Sequence, residues 1–482
     1  MMTLRWNSKW SKRFCWALVY ATLTTAIVVI FFLEKLNVPP RELSPYITHR
    51  ASGHNPLITN VGNWLAQTLL AADRGNPLPP IPIMWRIGAQ HRALQPLPSS
   101  DSNADKLVST PAEFVEALKQ AHAGEVITLL PGRYHFDHTI AINQVGSSTA
   151  RITVRAVRPD TVFLDFKMVE GFKVSEPYWT FENLNIRGVC TPQTDCEHAF
   201  HIVGNATYFI ARNNTIVDFN AHFKINGEDH HFPDNGLIDG NTLTNTSVRQ
   251  TDNPVTLVDL VAASHWRISH NLITDFMKAD GNQVSYGAFV KGGGSDNRIE
   301  QNIIVCEYLL PSSPGQRVGL SLGGGGTGPQ YCRDERCITE QDGSIIQSNL
   351  IASCSDDGIY LNRAATSKIL HNTLIDTGGI SVRFAESTAD IQGNLVDGLI
   401  RTRDGGLMRA TENLTTSATS LYLGKHPARD LFLNPMAMNF LWKEKLPARL
   451  VSDKTINDLC DAPQTGGQRY GAFENFSACL TQ

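Results

Sequence analysis

Basic and polar side chains recur at matched places in eight short segments: His198–Gly204, Ala221–Gly227, Pro254–Asp259, Gly287–Gly292, Gly319–Gly324, Gly358–Arg363, Gly379–Phe384 and Leu399–Asp404. The period-2 alternation of β-strands turns Ile202, Ile225, Leu257, Val290, Leu322, Leu361 and Val382 to one side. One row on the opposite side reads Asn226, Val258, Lys291, Gly323, Asn362, Arg383 and Arg403. Its neighbour reads His201, Lys224, Thr256, Phe289, Ser321, Tyr360, Ser381 and Arg401, and Arg363 closes one of the segments. Adjacent strands lie ~4.8 Å apart, so eight of them form a track on the order of 35 Å long. The chain carries a formal net charge of -4. Bases gathered on one face of a slightly acidic chain suit an extended anion such as an acidic polysaccharide. Nothing in the charge balance points to nucleic acid. Glycines follow Lys291 (Gly292 to Gly294) and Ser321-Leu (Gly323 to Gly326), which leaves room for a ligand backbone to come close. Asp356-Asp357, directly before Gly358, is the one aspartate pair that could serve a glycoside hydrolase.

A repeat must hold these segments in line. Its signature is an asparagine followed by apolar or Thr residues: Asn214-Thr-Ile-Val, Asn241-Thr-Leu-Thr, Asn271-Leu-Ile-Thr, Asn302-Ile-Ile-Val, Asn349-Leu-Ile-Ala, Asn372-Thr-Leu-Ile and Asn394-Leu-Val-Asp. Asn183-Leu-Asn-Ile is a candidate start of the series. The steps are 27, 30, 31, 47, 23 and 22 residues, the range of a stacked solenoid. The units are short, β-branched and punctuated by Gly and Asn, with no helical period between them. The expected fold is all-β, a parallel β-helix with its asparagines stacked inside as a hydrogen-bonded ladder.

The chain has 482 residues, enough for one long solenoid with additions. Arg5, Lys9, Lys12 and Arg13 precede Phe14–Leu33, twenty residues without a charge. As a helix these extend ~30 Å, the thickness of a bilayer core. Bases on the N-terminal side place that end in the cytoplasm. The expected organisation is a cytoplasmic tail over 1–13, a transmembrane signal anchor over 14–33 and a proline-rich tether over 34–106. A β-helix over 107–405 and a C-terminal capping segment over 406–482 complete it. The expected location is the inner (plasma) membrane, single-pass, with the C-terminal domain periplasmic. Within the tether, Val61–Ala71 is a short amphipathic piece.

Of nine cysteines, Cys15 lies in the anchor. An even remainder outside the cytoplasm implies disulfides. Cys190–Cys196 and Cys332–Cys337 would close small loops, Cys306–Cys354 would join adjacent coils, and Cys460–Cys479 would tie down the tail. The 47-residue step contains Gly324–Gln341, a loop expected to project beside the track near Lys291. Glu228-Asp-His-His231 with Asp234 is a loop rich in oxygen and nitrogen ligands.

Thr110-Pro111-Ala112-Glu113 is a capping box opening a helix with Phe114, Val115, Ala117, Leu118 and Ala121 on its apolar face. Gly124-Glu-Val-Ile-Thr-Leu-Leu-Pro-Gly-Arg-Tyr follows, and Arg469-Tyr-Gly-Ala-Phe-Glu474 closes the chain. With these phrases the chain resembles secreted right-handed β-helix proteins of the chondroitinase B and alginate lyase group. The resemblance covers roughly Ser109 to Glu474, and implies that the helix caps the open end of the solenoid. It also implies β-elimination or epimerisation of a uronate-containing polysaccharide. In that chemistry a base removes the proton beside the carboxylate, a cation neutralises the carboxylate, and an acid serves the leaving oxygen. Lys291, in Gly-Ala-Phe-Val-Lys-Gly-Gly, is similar to the group's base lysine. A lysine serves as base when its pKa falls. The group's arginine one coil later is replaced by Ser321-Leu-Gly-Gly, so Arg317, Arg383 and Tyr360 are the candidate catalytic partners. His201, Lys224, Asn226, Ser321, Asn362, Arg363, Arg401 and Arg403 are candidate substrate contacts. The group's calcium uses acids of the preceding coil, where this chain offers Asp259. A non-catalytic glycan-binding or scaffold protein is the alternative function.

Overall fold

A computed structural model describes residues 8–75, 86–89, 105–310, 313–444, 449, 457–461 and 469–480. The first seven residues of the expected cytoplasmic tail, and 76–85 and 90–104 of the expected tether, lie outside it. The described chain forms two compact units: Met1–Gly75 with Thr416–His426, and Asn76–Thr415 with Pro427–Gln482.

The larger unit is the expected parallel β-helix. Three long sheets of twelve, ten and eleven strands run its length, and each coil between the ends contributes one strand to each sheet. Pairing within the sheets is parallel, as in Asn214's coil, where Thr215–Val217 aligns with Thr242–Thr244 of the next coil. The interior is apolar, with stacked Phe172, Phe200 and Phe223 near the entry end.

The ladder runs from Asn214 to Asn413. Each Nδ2 donates to the Oδ1 of the next coil's asparagine at 2.9–3.0 Å. The same Oδ1 accepts the backbone N–H of the asparagine before it. These amides are fully buried up to Asn394, and every donor and acceptor finds a partner, as a buried polar group requires. The residue before each ladder position, such as Asn213, His270, Gln301 or Ser348, has positive φ and turns the corner. Asn183 is one of these corner residues, which corrects its reading as a ladder member. Leu184 takes the ladder slot of that coil and donates its N–H to Asn214 Oδ1 at 3.0 Å. Asn413 extends the ladder by one rung beyond the repeats found in the sequence.

The entry cap forms as expected. Helix α4, Pro111–Gln120, carries the full capping box between Thr110 and Glu113 and buries Phe114, Ala117 and Leu118. All four expected disulfides are present: Cys190–Cys196, Cys306–Cys354, Cys332–Cys337 and Cys460–Cys479. The C-terminal segment behaves differently from a simple end cap. The solenoid continues to Leu414–Thr415. Residues 427–444, 457–461 and 469–480 then cover the flank of the eleven-stranded sheet, where Ile303, Val305, Leu350, Ala352 and Leu395 point outward against Phe432, Phe440, Phe473 and Phe476. Those strands read as apolar on both faces because both faces are buried.

The smaller unit is helical. It holds α1 (Ser8–Leu36), α2 (Pro40–Ala51), α3 (Pro56–Arg74) and α5 (Ala418–Tyr422). The stretch read as a proline-rich tether with a short amphipathic piece at Val61–Ala71 holds a packed helix pair, Pro40–Ala51 and Pro56–Arg74. Pro40 and Pro56 sit at helix starts, where proline is tolerated. Gly62 of α3 packs on Ala51 of α2, and the buried Arg41 guanidinium donates to Asp73 Oδ1. Tyr422 donates its hydroxyl to Val38 O at 3.1 Å, and burial, followed by Asp73, pushes its pKa up to about 12. Helix α1 covers the expected anchor. Among the described residues, no helix is long and apolar enough to cross a membrane; the side chains of 8–15, 26, 30, 33, 34 and 36 lie outside the description.

The ladder yields a stability prediction. Asn302→Ala removes the partners of Ile268 O, Glu300 O and Asn271 N–H in a dry interior. An unsatisfied buried group costs about 1–3 kcal/mol, so Asn302→Ala should lose at least about 2 kcal/mol in urea unfolding. Asn413→Ala, at the half-exposed end, should cost clearly less. Equal losses at the two positions would show that ladder depth does not matter.

Candidate functional site

The ten-stranded sheet, running from Ile140–Ile142 to Leu399–Arg403, carries the outward face predicted from the sequence. Its register sets Lys173, His201, Lys224, Asp259, Phe289, Ser321, Tyr360, Ser381 and Arg401 side by side. The second row pairs Val261 with Lys291, and Asn362 with Arg383 and then Arg403. One strand thus departs from the expected alignment. Asp259 and Val261, not Thr256 and Val258, occupy the track positions. Val255-Thr-Leu-Val-Asp-Leu-Val is apolar on both faces, so its alternation carries no phase. The shift places a carboxylate in the middle of the track.

Lys224 Nζ lies 2.7 Å from Asp259 Oδ2. Lys291, one coil on, is half-buried and its Nζ sits 4.5 Å from the centre of the Phe289 ring. Among the described residues its Nζ has neither hydrogen bond nor ion pair. Burial pushes the Lys291 pKa below the ordinary lysine range, with a further push from Lys224, while Asp259 and Glu340 pull the other way. Phe289 is edge-on to Tyr286, whose hydroxyl burial pushes up to about 12. Three buried acceptors surround this stretch of the track with one oxygen unpartnered each: Asp259 Oδ1, Glu340 Oε1 and Asn362 Oδ1. Glu340 comes from the end of the long coil, and its Oε2 accepts from Gly324 N–H and Thr327 Oγ1 at 3.1 Å. Nothing in the sequence marked Glu340, because its position depends on how the loop folds back.

The loop does lie beside Lys291. Arg333 N–H donates to Gly292 O, and Gly293 N–H to Glu340 O. The Arg333 guanidinium grips both Asp234 oxygens at 2.8 Å and stacks over Phe232. Its tip and the strand bearing Lys224 and Asn226 enclose a cleft of about 470 Å³, with exposed Tyr331 at the rim. The glycines serve packing more than ligand approach. A Cβ on Gly324 would stand 2.7 Å from Lys291 Cδ, and one on Gly323 would run into the Asn362 carbonyl.

The other candidates do not join Lys291. Arg317 is buried and bound to Glu307 at 2.7 Å and to the Ser313 and Pro314 carbonyls, so it is a structural residue off the track. Ser321 is buried and donates to Gly323 O. Arg401 is buried beside Asp357 at 3.5 Å and donates to Ser381 Oγ; burial, then Arg403, lowers its pKa to about 9. Arg383 sits between Asp404 and the Tyr360 hydroxyl, three strands from Lys291, or roughly 14 Å. Tyr360 is pushed above its usual pKa by burial. Arg363 lies at a positive-φ corner near Phe384, and Arg403 is exposed at the track's end. His201 is held between Glu170 at 2.9 Å and Asn226 at 2.8 Å.

Calcium does not fit the donor set. Asp259 Oδ2 is occupied by Lys224, and Glu228, His230 and Asp234 turn instead to Lys173, Glu335 and Arg333. No three acids or histidines of the track bring ligand atoms together among the described residues.

The Pel9A-like right-handed β-helix region matches residues 97–255. No curated protein matches the chain. Pectate lyase Pel9A is structurally similar, with a TM-score of 0.52 at 15% identity, covering 75% of this chain and 90% of that one. An alginate lyase from Paenibacillus sp. str. FPU-7 gives a TM-score of 0.38 at 14% identity, covering 64% and 100%. At such identity the likeness to Pel9A establishes the fold, a right-handed parallel β-helix known from polysaccharide lyases.

The electrostatics can be read directly. Competitive acylation of lysines from about pH 7 to 11, followed by mass spectrometry, should place the Lys291 midpoint below that of exposed lysines. Asp259→Asn removes a carboxylate that favours the ammonium, so it should lower the midpoint further; Lys224→Met should raise it. An ordinary midpoint at Lys291 would refute the assigned environment.

Proposed function

We propose that this chain is an extracytoplasmic, membrane-anchored enzyme that acts on an acidic, uronate-containing polysaccharide by β-elimination or epimerisation. The carrying observation is Lys291, an unpaired, half-buried lysine with a lowered pKa on an outward track lined by bases. In this reading the neutral amine takes the proton from the carbon beside the uronate carboxylate. The electron pair left behind forms the new carbon–carbon double bond as the neighbouring carbon–oxygen bond breaks. The leaving oxygen receives a proton from the Lys291 ammonium. In epimerisation water instead gives a proton to the opposite face of the carbon, and the Lys291 ammonium releases its proton to the hydroxide left behind. Lys224 is the cation nearest in register to meet the substrate carboxylate, and Phe289 shields the amine from water. The anchoring part rests on the apolar side chains that α1 exposes, among them Trp16, Leu23, Ile27 and Phe31.

A non-catalytic glycan-binding protein is the second reading. It is favoured by the burial of Arg317 against Glu307 and by the pairing of Lys224 with Asp259, which engage two of the candidate cations near Lys291. The aspartate-pair hydrolase has less support, since Asp357 is buried against Arg401.

Incubation of the protein with a panel of acidic polysaccharides should generate unsaturated-uronate absorbance with at least one of them. Lys291→Arg should abolish turnover and keep binding nearly intact, because the charge stays but the proton acceptor is lost. The rate should rise with pH through the lowered lysine pKa, since only the neutral amine reacts. Binding without turnover in the parent protein would establish the second reading.

A further inference from the structure

Helix α3 is built inside out. Its packed side uses Gly62 and Ala66, small residues that let the helix press against α2. Its large apolar residues Leu57, Ile58, Val61, Trp64 and Leu65 are all exposed, Leu57 at 74% and Trp64 at 66%. At 3.6 residues per turn these five fall within an arc of about 120°. Residues 55–72 contain no Asp, Glu, Lys or Arg. A surface helix in water normally shows the reverse: large apolar residues inward and charges outward. Scattered exposed apolar residues need no explanation, but a contiguous uncharged stripe of this kind marks a contact surface.

The occupant follows from the same unit. Helix α1 exposes Trp16, Leu18, Val19, Leu23, Ile27, Phe31 and Phe32, and it ends three residues before α2 begins. Two exposed apolar faces in one compact unit call for one continuous apolar medium. A protein partner would also be expected to meet some charge at the rim of the patch, and α3 provides none before Asp73, which is buried with Arg41. Tryptophan beside aliphatic residues suits the boundary between headgroups and acyl chains.

We propose that α3 lies in the lipid interface of a membrane, with Leu57, Ile58, Val61, Trp64 and Leu65 dipping into the headgroup–acyl boundary. The helix does not cross the bilayer; it rests on it, as interfacial helices do. The proposal requires a lipid surface next to this unit but not that α1 traverses it, so it stands apart from the anchor. Its consequence is that the helical unit is a foot held flat on the membrane.

The test uses the full-length chain in vesicles of phosphatidylethanolamine and phosphatidylglycerol, with Cys15→Ser as background. Single substitutions Val61→Cys and Ile58→Cys carry an environment-sensitive fluorophore. Val157→Cys, on an exposed solenoid position, is the aqueous reference, and Leu23→Cys reports on α1. All four sites are exposed, so the substitutions leave the packed core untouched. Lipid-borne nitroxide should quench the Val61 and Ile58 labels at least about threefold more than the Val157 label, and aqueous iodide should do the opposite. Iodide quenching at Val61 equal to that at Val157 overturns the proposal. Shielding of Val61 from both quenchers also overturns it, since a protein then covers the face. An aqueous Leu23 label with a lipid-quenched Val61 label would refute the anchor alone and leave the interfacial helix standing.

Discussion

The buried asparagine ladder is the interaction on which the rest of this solenoid depends. A coil of a parallel β-helix must turn three corners, and each corner takes backbone groups out of the sheets. At the ladder corner, one residue adopts positive φ and the next offers its side-chain amide to the coils on either side. Because each amide serves both neighbours, the coils are locked at a single height. That constraint aligns the outward strands, and it makes Lys224 and Asp259, 35 residues apart in sequence, neighbours in space.

Alignment also decides which charges survive for function. A strand face with many bases is costly unless acids are near, and most bases of this track have found one. Lys173 meets Glu228, Lys224 meets Asp259, Arg383 meets Asp404 and Arg401 lies beside Asp357. Lys291 differs because its own coil sets it over Phe289 and because the long coil folds back along its stem. Desolvation there acts against the charged form, and Asp259 and Glu340 are too few to reverse it. Among the described residues, Lys291 is the lysine of the track left without a partner, and its chemistry differs from that of an ordinary surface lysine.

The two units follow opposite packing logics. The solenoid hides its large apolar residues along an axis and extends this core sideways under Phe432, Phe440, Phe473 and Phe476. The helical unit packs through small residues and a buried Arg41–Asp73 pair, and keeps its large apolar residues outside. The first logic suits water on all sides; the second suits a unit with an apolar neighbour.

The repeat asparagines, the capping box and the cysteine spacing were legible because each acts locally or at a fixed period. They determined the parallel β-helix, its capped entry and all four disulfides. What the sequence could not decide was phase and partnership. Val255–Val261 is apolar on both faces, so only the pairing of neighbouring coils could show that Asp259 faces the track. Arg317 and Arg401 look like free cations in a linear chain, and only the folded packing brings Glu307 and Asp357 to them. Glu340 reaches Lys291's surroundings through the return path of an irregular loop, which no periodic rule predicts. Local hydrogen bonding and period are written in the residues themselves, whereas burial and charge pairing belong to whichever distant residues the coils bring together.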